Sequence, residues 1–164
     1  MHDTSGDTAG VVAPPPLIAL AALLIGLALD WLLPAYVLTV LLDFWPRAVI
    51  GVLLAASGAA LAIAGRNSFV RIGTEVNPFK PSSVLATAGI YRYLRNPMYV
   101  GLGLLVGGLG IAFASDWTLV MLVPAAFLIH FGVVKREERY LDSKFGEAYR
   151  AYRRAVPRYG WPRL

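Results

Sequence analysis

Apolar residues in this chain come in long runs, not at the three- and four-residue spacing of a half-buried helix. Leu17 to Leu33, Ala48 to Ala64, Pro97 to Ala114 and Trp117 to Val134 are almost free of charge. Each is about as long as the helix needed to cross the hydrocarbon core of a bilayer. The pattern predicts four membrane-spanning helices. Pro34 closes the first run, and a short apolar connection with Asp43, Phe44 and Trp45 leads to the second. Asp30, near the far end of the first span, reads first as an interfacial carboxylate reaching lipid headgroups and second as a buried functional acid. Gly65 to Arg95 is the one long polar connection, marked by Arg66, Arg71, Glu75, Asn77, Pro78, Lys80 and Pro81. Ser115-Asp116 allows only a hairpin turn between spans three and four. Met1 to Pro16, short and free of basic residues, is expected to be a frayed terminus.

The last thirty residues follow a different rule. In Lys135 to Leu164 the apolar positions Leu141, Phe145, Ala148, Tyr149, Tyr152 and Val156 recur at helical spacing, and charged residues fill the other sides. This predicts an amphipathic helical segment, kinked or divided at Gly146 and ended by Pro157. It either lies on the membrane surface or folds over a site. Small residues crowd two of the spans. Gly51, Ala55, Ser57, Gly58 and Ala62 would let another helix approach the second closely, and Gly103 and Gly107 make a close-packing spacing in the third. The third span's glycines, which include Gly101, Gly108 and Gly110, serve either tight helix contact or a ligand lying against the backbone.

Composition supports the same class. Of 164 residues, 57% are hydrophobic and 15% charged, against about a quarter charged in soluble domains. The expected fold is an all-α integral membrane bundle of four transmembrane helices, one domain over residues 1–164, with a C-terminal amphipathic segment on the cytoplasmic face. The absence of cysteine excludes disulfides and thiol chemistry, and two histidines do not make a metal cluster. The net charge of +5 comes from residues flanking apolar spans, so membrane lipid, not nucleic acid, is the expected partner. Of fifteen lysines and arginines, five lie between spans two and three and nine follow span four. The positive-inside rule therefore places both termini and the polar connection in the cytoplasm. It also brings the start of the third span and the C-terminal segment to one face.

Two clusters then meet. The first is Gly89-Ile-Tyr-Arg-Tyr-Leu-Arg-Asn-Pro-Met-Tyr-Val-Gly101. Pro97 suits the first helical turn and Asn96 its N-cap. Arg92, Arg95 and the tyrosines stand where a helix N-terminus favours an anion. The second cluster is Arg136, Glu137 and Glu138 with Tyr149 and Tyr152. Adjacent glutamates on a helix point about 100° apart, so one can pair with a basic residue of the first cluster while the other meets a ligand. His130 is either a packed histidine bonded within the bundle or a base or cofactor contact.

The segment Gly-x-Tyr-Arg-Tyr-x-Arg-Asn-Pro-Met-Tyr-x-Gly is followed, one helical hairpin later, by Glu-Glu-x-x-Leu-x-x-x-Phe-Gly-x-x-Tyr-x-x-Tyr and Val-Pro-Arg. This bipartite pattern, from about Gly73 to Arg158, resembles the superfamily of isoprenylcysteine carboxyl methyltransferases and phospholipid methyltransferases. The resemblance implies S-adenosylmethionine at the cytoplasmic face and a lipophilic acceptor, a phospholipid amine or an isoprenylcysteine-like carboxylate, arriving from the bilayer. It makes Arg95, Asn96, Pro97 and Tyr99 the first binding motif, Glu137 and Glu138 the acidic pair, and Tyr149 and Tyr152 components of a cover. Arg95, Asn96 and Glu138 become the catalytic candidates, with Arg92, Tyr93, Gly101 and Gly103 as further cofactor contacts. Asn96 departs from the histidine of many carboxyl methyltransferase-like members and is similar to the amine-methylating branch. The chemistry matches such a cofactor. Arg95 or Arg92 can clamp a carboxylate, Glu138 or Glu137 can accept from ribose hydroxyls or an amino group, and tyrosine faces attract a sulfonium. Two other readings remain: an NADPH-dependent membrane sterol or enone reductase with a similar Arg-x-Pro-x-Tyr signature, and a small non-enzymatic membrane protein.

Overall fold

The computed structural model describes residues 8–73 and 81–160. Glu75, Asn77, Pro78 and Lys80 of the polar connection, and His2, lie outside the described residues. All regular structure described is helical: α1 (Pro15–Leu32), α2 (Val37–Leu41), α3 (Phe44–Arg71), a 3-10 turn at Gly89–Arg92, α4 (Pro97–Ala112), α5 (Asp116–Ile129) and α6 (Lys135–Ala155). A π-helical stretch, His130–Val134, joins α5 to α6 without a break. Among the described residues, three helices are long and apolar enough to cross a membrane: Pro15–Leu32, Phe44–Arg71 and the continuous Asp116–Ala155. α4 is apolar but only 16 residues long.

Several boundaries differ from the expectation, each for a local reason. α3 runs 28 residues, into what reads as polar connection. Arg66, Asn67 and Ser68 have no helix-breaking chemistry, so polarity alone does not stop it. α5 continues through His130–Val134 into α6 even though Gly132 lies in that stretch, and no glycine or proline follows between Lys135 and Gly146. Gly146 does interrupt the helix (φ 53, ψ −124), and α6 stops before Pro157, both as expected.

The N-terminal residues 8–14 are not frayed. Val11 is buried, Val12 N–H donates to the Gly132 carbonyl at 3.1 Å, and Arg136 Nη1 donates to the Gly10 carbonyl at 2.6 Å. The strap thus crosses the π-helical stretch. Asp30, expected to reach headgroups, is engaged within the bundle. It accepts from the Ser115 hydroxyl and from Trp117 N–H. Asp116 accepts from Val37 N–H and Leu38 N–H, both at 3.0 Å. These carboxylates satisfy helix N-termini that would otherwise leave donors unpaired, and so they fix the α4–α5 hairpin to α1 and α2.

α4 lies between α3 on one side and α1 and α5 on the other. The α3 contact is built from glycines seven residues apart. A Cβ on Gly58 would sit 2.4 Å from Leu105 N, and one on Gly108 would sit 2.4 Å from Ala55 N. Gly51, Gly65 and Gly101 are similarly pressed against the partner helix. Close backbone approach of this kind is how helices associate where lipid removes any hydrophobic drive. The close-packing pair is therefore Gly101 and Gly108, not Gly103 and Gly107. Around Gly103 nothing would lie within 4 Å of an added Cβ, and Gly107 would meet only a Leu122 side chain.

The contrast can be measured. Gly58→Leu or Gly108→Leu must force the two backbones apart and should destabilise the detergent-solubilised protein by about 2 kcal/mol or more. Gly103→Ala should leave stability unchanged or raise it by up to ~1 kcal/mol through helix propensity. Thermal unfolding of the three variants checks this.

Candidate active site

The site grows from the entry to α4. Gly89 takes a positive φ (63°), which opens the 3-10 turn Gly89–Arg92, and Pro97 begins the helix with no N–H to leave unpaired. Between them Arg95 is delivered into the interior, where it is 8% exposed. Its Nη1 donates to Glu138 Oε1 at 2.7 Å and to the Tyr149 hydroxyl at 3.1 Å. Its Nε donates to the Val156 carbonyl at 3.0 Å, and its backbone N–H to the Pro157 carbonyl at 3.0 Å. Arg158 closes a fork on the same glutamate, with Nε to Oε1 at 2.8 Å and Nη2 to Oε2 at 2.7 Å. That bond to Glu138 also raises the pKa of Arg158 further.

The two glutamates divide the work as their 100° separation requires. Glu138 takes both arginines. Glu137 instead accepts from the Tyr99 hydroxyl at 2.6 Å. Asn96 occupies the N-cap position but its side chain caps nothing. Its Nδ2 donates to the Arg158 carbonyl at 3.2 Å. Tyr152 OH donates to the Tyr91 carbonyl at 2.8 Å, so the cover is held at both ends of the motif. Tyr91 packs edge-on against Phe69 of α3, and burial keeps its phenol neutral by raising its pKa.

Between motif and cover lies a hollow of about 100 Å³. Arg95, Asn96, Tyr99, Glu137, Glu138, Tyr149 and Tyr152, all expected from the sequence, line it. Tyr91, a member of the first cluster, lines it too, and Met98, Tyr140, Phe69 and the 82–86 segment add walls that the sequence pattern does not single out. Pro97 is buried beneath. Arg92 and Tyr93 are exposed and form no part of the lining. Gly101 faces α3, and Gly103 belongs to a second cavity. That cavity, about 620 Å³ and almost wholly apolar, lies between α4 and α5 and includes His130 and Tyr159 in its lining. Tyr99 lines both.

Comparison with known proteins places the chain in a family. The family model for phospholipid methyltransferase matches residues 46–148, well over half of the chain. The chain belongs to the phospholipid methyltransferase family. It is also similar to a protein-S-isoprenylcysteine O-methyltransferase of Schizosaccharomyces pombe, 32% identical over 74 residues. That match spans 45% of this chain but only 31% of the yeast protein's length. No solved structure matches. The family segment takes in α3, α4, α5 and α6 as far as Ala148. The residues that complete the node in this phospholipid methyltransferase family member, Tyr149, Tyr152 and Val156 to Arg158, follow it. Arg158 and Tyr159 are the side chains around the site that are hardest to foresee, because nothing periodic marks the chain after Pro157. The Val-Pro-Arg triplet was the signal available.

Arg95 joins four groups that otherwise lack a common partner. Arg95→Ala should therefore release the cover: we expect trypsin to cut at Arg150, Arg153 or Arg154 at least ten times faster than in the parent protein. Stability should fall by about 2–4 kcal/mol, since a buried carboxylate loses one of its two cations. Limited proteolysis with mass analysis, alongside thermal unfolding, reads both.

Proposed function

We propose that the protein is an integral membrane methyltransferase that uses S-adenosylmethionine to methylate a lipophilic acceptor. In this reading α1, α3, α4 and α5 cross the bilayer, with motif and cover at the cytoplasmic face. One observation carries it: the two sequence-distant halves of the family pattern are bonded together through Arg95 and Glu138 around a single hollow.

The side chains suit this cofactor. Glu137 can accept from ribose hydroxyls or an amino group, since Glu138 is already held by two arginines. Tyr99, Tyr149 and Tyr152 offer π faces and hydroxyls to a sulfonium. Arg95 and the N-terminus of α4 suit a carboxylate. The bound cofactor would supply an activated methyl group. The protein's share is to orient that group, exclude water and hold the acceptor in line with it. At about 100 Å³ the hollow is smaller than the roughly 300 Å³ from which small-molecule sites begin. Binding therefore requires the cover to swing outward. Gly146, already non-helical inside α6, is the position where it can turn.

Calorimetry of the detergent-purified protein tests the reading. S-adenosylhomocysteine should bind saturably and NADPH should not. Glu137→Gln should weaken S-adenosylhomocysteine by about 1.5–3 kcal/mol, the worth of a charged hydrogen bond. Saturable binding of NADPH alone, or of neither compound, would overturn the proposal. Unchanged affinity in Glu137→Gln would remove that residue's role and leave the reaction class standing.

A further inference from the structure

The end of the bundle away from the motif carries one cation that nothing so far employs. Fourteen of the fifteen lysines and arginines follow Gly65 in the sequence, and Arg47 is the exception. Gly65 stands level with Pro97 and Met98 at the start of α4, and Gly51 stands level with Ala112 at its end. Arg47, near the start of α3, is eighteen residues before Gly65, or roughly 27 Å along the helix. That is close to the thickness of a bilayer's hydrocarbon core, about 30 Å. In the four-span reading Arg47 therefore stands at the membrane surface opposite the motif, one turn beyond the end of α4.

Its surroundings leave the guanidinium unsatisfied. Arg47 Nε is enclosed without a hydrogen-bond partner, and among the described residues no carboxylate pairs with Arg47. Asp43, one turn earlier, caps nothing with its side chain and enters no ion pair among the described residues. The other carboxylates at this end are committed, Asp30 to Ser115 and Trp117, and Asp116 to Val37 and Leu38. What covers the guanidinium is Phe44, whose ring centroid lies 5.9 Å from Cζ. Phe44 and Trp45 are 59% and 75% exposed, and their rings meet edge-on. A cation set into an aromatic belt with no counter-ion lacks the compensation that leaving water demands.

We propose that Arg47 binds the phosphodiester of a phospholipid in the leaflet opposite the motif, with Phe44 and Trp45 holding the glycerol and upper acyl chain against α3. A guanidinium meets two phosphate oxygens as a fork, which fixes the lipid's position as well as its charge. An oxygen reaches Nε once the exposed Phe44 ring moves off the guanidinium. Helical side chains lean toward the N-terminus, so the fork lies at the same end as the first N–H groups of α3, on Phe44 and Trp45, which the Asp43 side chain leaves uncapped. Neither Arg47 nor Phe44 lines the motif hollow or the apolar cavity, so this lipid is a fastening of α3 at the far surface and no substrate. The proposal rests on the four-span reading and is independent of the methyltransferase one.

The chain has no cysteine, so a single Ile50→Cys, one turn from Arg47 on the same side of α3, takes a bimane fluorophore selectively. In maltoside detergent, phosphatidylglycerol with a nitroxide near its headgroup should quench the bimane saturably. Diacylglycerol carrying the same nitroxide should quench without saturation. Adding Arg47→Gln should weaken the phosphatidylglycerol affinity about tenfold or more. Equal saturation in Arg47→Gln, no saturation in the parent, or saturation by diacylglycerol overturns the proposal. Displacement of the lipid by excess inorganic phosphate would make the ligand a free anion and overturn it too. Thermal unfolding separates binding from packing. Without lipid, Arg47→Gln should unfold within about 3 °C of the parent, and phosphatidylglycerol should raise the parent's midpoint more than the variant's. A deficit that is already complete without lipid would make Arg47 a packing residue and sink the assignment.

Discussion

A guanidinium withdrawn from water has to be paired, or its burial destabilises what surrounds it. Arg95 meets that demand with a carboxylate, a phenol and a backbone carbonyl, and its own amide is taken by the next carbonyl along the tail. Every one of those partners belongs to the helix that follows the apolar hairpin or to the tail beyond it. The cost of burying one cation is thus what binds residues 149–157 to the mouth of α4. The position of the second glutamate follows. With Glu138 committed to Arg95 and Arg158, its neighbour is turned about 100° away, toward Tyr99.

The membrane portion of the fold supplies the space in which this happens. α3 and α4 touch backbone to backbone through glycines, with Gly65 of α3 level with Pro97 and Met98 at the start of α4. α3 then continues to Arg71, six residues or roughly 9 Å further. The start of α4 is therefore recessed beside a taller neighbour, and Phe69 of that extension becomes a wall of the hollow. The strap at residues 9–12 closes the side near the π-helical stretch. A short helix between long ones leaves a recess that only a folded-back segment can roof.

Much of this was legible along the chain, and the features that were not share a cause. Apolar runs announced the helices, and charge bias announced which polar patches meet. Gly146 and Pro157 announced the break and the end of the cover. All of these are properties of neighbouring residues. The failures are at residues whose partner lies far away in sequence. Asn96 looks like an N-cap because its position is one, yet its amide is claimed by the Arg158 carbonyl. Asp30 reads as a headgroup contact until Ser115 and Trp117 are folded against it. Gly103 and Gly107 have the spacing of a packing pair, but the helix rotation presents Gly101 and Gly108 to α3. Arg92 carries the same charge as Arg95 and differs only in which way the 3-10 turn leaves it.

What the amino-acid order determined alone is the class of molecule: a helical membrane protein with an arginine–tyrosine patch and an acidic pair on one face, in the phospholipid methyltransferase family. Hydrophobic runs and charge bias act locally, and they survive without knowledge of the fold. What tertiary structure decided is the assignment of each polar atom. It chose which glutamate holds the cover and which remains facing the hollow, and it set His130 beside Tyr159 at the end of an apolar cavity. Those choices depend on helix rotation and on a recess created by unequal helix lengths, and neither is written in any single stretch of sequence.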